Sequence, residues 1–134
     1  MLIKGIVEYN NNGAVSEEKI NMDTTALRVA ESKDLLDAVA FALYGKTVFQ
    51  EIVRAGKGVP LISMEINDNG KTFYVVRQPE YLRETAFGNR YLTKELFSLK
   101  TEDAEYESLS AEKYFAMLKD LISLAYEDLI SLCR

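Results

Sequence analysis

A chain of 134 residues, 48% apolar and 28% charged, can bury one hydrophobic core without disulfides or metals, and it is expected to form a single domain over residues 1–134. It contains no histidine and one cysteine, Cys133, which excludes Ser-His and Cys-His nucleophile pairs, an intrachain disulfide and cysteine-rich zinc sites. Its net charge of −5 makes it a poor default ligand for nucleic-acid phosphates, and its carboxylates sit among Lys and Arg with no spacing that singles out a catalytic pair.

Residues 2–9, LIKGIVEY, alternate as a strand does, and the turn cluster NNNG is expected to return the chain through a second strand near 17–23. A third short strand is read at 26–30, ALRVA, followed by Ser32 as the cap of a helix with the body KDLLDAVAFALY. That helix is apolar nearly all round, the pattern of a helix sandwiched in a core, and Gly45 supplies the left-handed residue that ends it.

LISMEIN at 61–67 and TFYVVRQ at 72–78 are β-prone runs joined by Asp68-Asn69-Gly70-Lys71, in which the Asn-Gly step predicts a tight hairpin. After Pro79 the segment EYLRETAFGNR reads as an irregular excursion, and YLTKELFSLK as a further strand ahead of the acidic stretch TEDAEYES. Ser110 is expected to cap a helix to about residue 122, with Phe115, Leu118, Leu121 and Ile122 on one face, and a second helix follows at about 126–133. The fold class expected from these elements is α/β: a mixed sheet with antiparallel hairpins around a buried helix. No apolar run reaches the eighteen or so residues of a membrane span, and the start MLIKGIVEYNNNGAV lacks the layout of a signal peptide, so the expected location is the cytoplasm.

Two short motifs imitate the end of a phosphate-binding loop, Gly45-Lys46-Thr47 and Gly70-Lys71-Thr72. Such a loop needs a glycine five residues earlier, between a strand and a helix start, so that its backbone N–H groups can cradle phosphates. Position 40 is Ala and position 65 is Glu; one motif follows a helix and the other lies in a hairpin turn. They are read as a helix cap and a turn.

DLLDAVAFALYGKT at 34–47 resembles the helix after the phosphate-binding loop in the SbcC family, the ATPase subunits of double-strand-break-repair nucleases and relatives of the SMC proteins, where the pattern is close to GKSTLLDAICFALYG. EIVRAGKG at 51–58 resembles the loop beyond that helix, ISMEINDNGKTFYVVRQPEY at 62–81 its β-hairpin, and the final LISLAYEDLISLC the helical segment leading to its Q-loop. The resemblance implies the first lobe of an ABC-type ATPase, and with it a link to DNA repair, ATP and magnesium.

The departures fall on the chemistry. Where the family has its Gly-rich cradle this chain has Val29, Ala30, Glu31, Ser32 and Lys33; branched and charged side chains there would block a triphosphate, and Glu31 would repel it. The resemblance covers the first lobe and stops before the Q-loop glutamine, so the expectation is a chain that holds the scaffold without the parts that position a phosphoryl group. No catalytic residue, metal or bound cofactor is expected.

The leading functional expectation is a non-catalytic interaction or regulatory module linked to DNA repair, working as a homodimer or on a partner ATPase. An alternative is half of a split ATP site completed by another chain, with Lys33 or Lys46 at the phosphates. A second alternative is weak DNA binding through the net-basic middle of the chain, by Arg54, Lys57, Arg77, Arg83 and Arg90, with Tyr74, Tyr81 or Tyr91 stacking on bases. Tyr114 and Phe115 read as core, and Glu102, Asp103, Glu105 and Glu107 as a solvated loop.

Overall fold

The computed structural model describes residues 1–11, 14–25, 33–45, 58–84 and 87–131. The alternating segments at the start form β1 (Leu2–Asn11) and β2 (Ala14–Asp23), an antiparallel pair two residues longer at the turn end of β1 and three at that of β2 than the sequence pattern predicts. On β1, Ile3, Val7 and Tyr9 are buried while Leu2, Lys4 and Ile6 face outward, the period-two alternation of a sheet with one covered face. The strand expected at 26–30 and the Ser32 cap lie outside the described residues.

Helix α1 (Lys33–Tyr44) buries Leu35, Leu36, Ala38, Val39, Ala40, Phe41, Ala42 and Leu43, so it is enclosed on nearly every side, as its composition predicts. Gly45 follows at φ 72°, the left-handed conformation that stops a helix. Strands β3 (Val59–Asp68) and β4 (Lys71–Gln78) pair through a turn with Asn69 at φ 53° and Gly70 at φ 80°. Two positive φ angles in a two-residue loop match the right-handed twist of the strands, which is why Asn-Gly is favoured there.

The segment after Pro79 departs from the expectation of an irregular excursion. It forms a hairpin of β5 (Tyr81–Glu84) and β6 (Arg90–Thr93), a separate two-stranded sheet. Leu82 and Leu92 lie opposite each other in it and are 60% and 57% exposed, so no buried face imposes the alternation that would have marked these strands in the sequence. YLTKELFSLK is accordingly two strands rather than one, β6 and then β7 (Leu96–Lys100), separated by exposed Lys94 and Glu95.

The two-residue β8 (Glu105–Tyr106), helix α2 (Ala111–Leu121) and helix α3 (Tyr126–Ser131) complete the described chain. Ser110 caps α2 by accepting from the Lys113 N–H at 3.2 Å. The main sheet runs β2-β1-β3-β4-β7-β8, and every described pairing is antiparallel. Helix α1 lies against β3 and β4 on one side and against α2 and α3 on the other, giving an α/β fold with the core on the inner sheet face. Ile3, Ile62, Ile66 and Leu99 are fully buried there, each worth about 1.5–3 kcal/mol of apolar burial.

Gly5 marks a close approach of β1 to β3: a Cβ at that position would lie 2.1 Å from the Ser63 carbonyl oxygen and 2.8 Å from the Met64 Cα. Of the sheet's outer strands, β2 carries exposed Glu17 and Lys19, and β8 spans two residues. Charge and shortness both discourage edge-to-edge pairing. Among the described residues, no helix is long and apolar enough to cross a membrane.

Candidate functional site

Four hydrogen bonds tie the helices to one another and to the β3–β4 hairpin. Tyr114 donates to the Ala42 carbonyl at 2.8 Å, Tyr44 donates to the Leu124 carbonyl at 2.7 Å, and buried Asp68 Oδ2 accepts from the Ser123 N–H at 2.9 Å and its Oγ at 3.0 Å. Between α1, α2 and α3 lies a cavity of about 370 Å³ whose walls include Leu43, Tyr44, Phe115, Ile122 and Tyr126, with Lys119 as the one charged wall residue among the described residues. The cavity is apolar and aromatic, and among the described residues no catalytic pair converges on it.

Arg77 is the most unusual residue of the core. On β4 it shares the inner face with Phe73 and Val75 and is 6% exposed. Its guanidinium carbon lies 4.0 Å from the centre of the Phe41 ring, 4.4 Å from that of Phe97 and 5.2 Å from that of Phe115, an aromatic box built by α1, β7 and α2. Such faces attract a cation. Among the described residues the carboxylate beside it is that of Glu95, with Nη2 to Oε2 at 3.8 Å, and its Nε and Nη1 have no hydrogen-bond partner. Burial holds its pKa below the usual arginine value, with the opposing pull of Tyr114 and Glu95 too small to cancel it.

This placement corrects the expectation of Arg77 as a surface cation. Alternate residues of a strand face opposite sides, so Arg77 points into the core while Tyr74, three positions earlier, faces outward. The two cannot form one base-stacking platform. Tyr74 is engaged within the sheet, donating to Glu65 at 3.1 Å, which raises its pKa, with Lys100 Nζ 6.0 Å from its ring centre.

Of the other candidate cations, Arg90 is exposed on β6, opposite Glu84. Arg83 lies on β5 opposite Tyr91, and Lys33 is the first residue of α1; the side chains of Arg83, Tyr91 and Lys33 fall outside the described residues, as do Lys46, Arg54 and Lys57 altogether. Tyr81 is half-buried. The described structure therefore does not bring the basic candidates together. Gly70-Lys71-Thr72 occupies a hairpin turn, as expected, and Tyr114 is fully buried with Phe115 packed against it. Glu102, Asp103, Glu105 and Glu107 are all exposed around β8.

Sequence reading missed the box of Phe41, Phe97 and Phe115 and the role of Glu95 beside it. The available signal was strand parity, since positions 73, 75 and 77 alternate onto one face and place an arginine in an apolar row. No protein-family model, curated protein or solved structure matches the chain.

Proposed function

We propose that the chain is a non-catalytic counterpart of the first lobe of SbcC-type ATPases, acting in DNA repair through protein contacts, as a homodimer or on a partner ATPase. The observation that carries this reading is the treatment of α1. The segment that resembles the family's post-loop helix is the enclosed centre of the fold, while Val29 to Lys33 ahead of its body contain no glycine and include an acidic residue. A scaffold kept intact around a lost phosphate cradle is suited to docking and unsuited to phosphoryl transfer.

The hairpin β3–β4 and helix α3 fall on two of the other segments that carry the resemblance, 62–81 and 121–133, in the same order, while EIVRAGKG lies outside the described residues but for Gly58. The proposed location is the cytoplasm, where a repair ATPase would be met. ATP and magnesium form no part of the proposed activity.

The test is to mix the purified chain with an SbcC-type ATPase and to follow both particle mass by light scattering and ATP turnover. The reading expects either a stable self-dimer or a mixed complex, with turnover altered at equimolar chain. A monomer that neither associates nor changes turnover would remove the proposal.

A further inference from the structure

Arg77 is a core cation whose hydrogen bonds are not made. The Phe41 and Phe97 ring centres lie 4.0 and 4.4 Å from its guanidinium carbon, and its Nε and Nη1 reach no acceptor among the described residues. Glu95 stands at 3.8 Å from Nη2, beyond hydrogen-bond length, on a linker where its own side chain is 43% exposed. Leaving buried donors unpaired is destabilising, and an apolar side chain of similar length would pack better among three phenyl rings. Packing therefore does not account for the charge.

The geometry of the guanidinium narrows what would. Its two forked edges pair Nη2 with either Nε or Nη1, so Nη2 belongs to both, and a two-pronged acceptor on either edge contacts the nitrogen that Glu95 neighbours. We propose that Arg77 is the receptor for a single oxyanion group, phosphate or carboxylate, and that Glu95 is its tethered competitor. With no ligand, Glu95 holds the place at long range and leaves the donors unmet. An arriving oxyanion displaces it into solvent, Lys94 and Glu95 of the β6–β7 linker both being exposed, and takes a fork at Nη2. This site is independent of nucleotide chemistry and stands whether or not the chain docks on an ATPase.

The experiment is a titration of the whole chain with inorganic phosphate, acetate and, at matched ionic strength, chloride, reading the Arg77 Nε–Hε signal by NMR and the thermal midpoint. Phosphate or acetate is expected to shift the signal saturably while chloride does not, and the tighter of the two identifies the natural head group. E95Q, which keeps the shape and removes the competing charge, is expected to bind about tenfold tighter. R77M is expected to fold, with an unchanged or raised midpoint, and to lose the response. An Arg77 signal unmoved by both oxyanions in the unaltered chain, or moved equally by chloride, overturns the proposal whatever the variants do. An E95Q variant that binds no tighter removes the role of Glu95.

Discussion

Tyr114 donates its hydroxyl hydrogen to the Ala42 carbonyl at 2.8 Å, so a side chain of α2 satisfies a carbonyl in the last turn of α1. The last four carbonyls of a helix have no partner within it, and this one is buried. Y114F keeps the ring contacts with Phe97 and Phe115 but leaves that oxygen unpaired. It is expected to lower unfolding stability by about 1–2 kcal/mol, read from urea denaturation. An unchanged midpoint would mean that the bond is replaced at no cost.

The tyrosines also set an alkaline limit. Burial, with the negative charges of Asp68 and Asp128 adding to it, pushes the Tyr44 hydroxyl up to about 12, and burial raises Tyr114 as well, with Arg77 pulling the other way. A tyrosine in the unfolded chain titrates near 10, so the folded state binds its proton more tightly. The contribution is complete below about pH 10 and is lost as pH rises through about 12. Y44F is expected to be less stable near neutral pH, through loss of its bond to Leu124, and to lose stability less steeply above pH 10. Parallel curves of urea midpoint against pH for the two proteins would contradict this.

Asp68 joins the end of β3 to the α2–α3 linker by accepting two hydrogen bonds from Ser123. D68A strands both donors and is expected to cost about 1–3 kcal/mol, whereas S123A leaves the backbone bond in place and is expected to cost about 1 kcal/mol or less. In the D68A S123A double variant the losses should fall short of additive, since the shared bond is removed once. Strict additivity in a denaturation cycle would separate the two residues.

Gly5 and Gly70 are predicted to differ in kind. At Gly70 an added Cβ meets nothing within 4 Å, so G70A carries the strain of φ 80° and is expected to cost about 1 kcal/mol. At Gly5 the Cβ would strike the Ser63 carbonyl and the Met64 Cα, backbone that cannot move without parting β1 from β3. G5A is expected to cost several kcal/mol, about 3 or more, and to recover poorly in soluble yield. Comparable midpoints for G5A and G70A would contradict the close approach.

That contrast also marks where the sequence is legible. Gly70 was readable because Asn-Gly acts through local backbone geometry, and α1 because an apolar pattern on all sides has one stable destination, the interior. Ser110 was readable for the same local reason. Gly5, in contrast, is constrained by a strand some sixty positions away, and nothing in LIKGIVEY announces it. The β5–β6 hairpin escaped because Leu82 and Leu92 face solvent, so its pairing rests on backbone bonds that leave no hydrophobic period. The Arg77 box was half legible: parity puts the arginine inward, but Phe41, Phe115 and the neighbours Glu95 and Phe97 reach it from three separate stretches of the chain.

The central claim is a scaffold without nucleotide chemistry, and calorimetric titration of ATP with magnesium into the purified chain tests it most directly. The account predicts no saturable heat. Saturable binding tighter than about 1 mM, roughly 4 kcal/mol, would contradict it and make half of a split ATP site the leading reading, with Lys33 and Lys46 the first residues to replace.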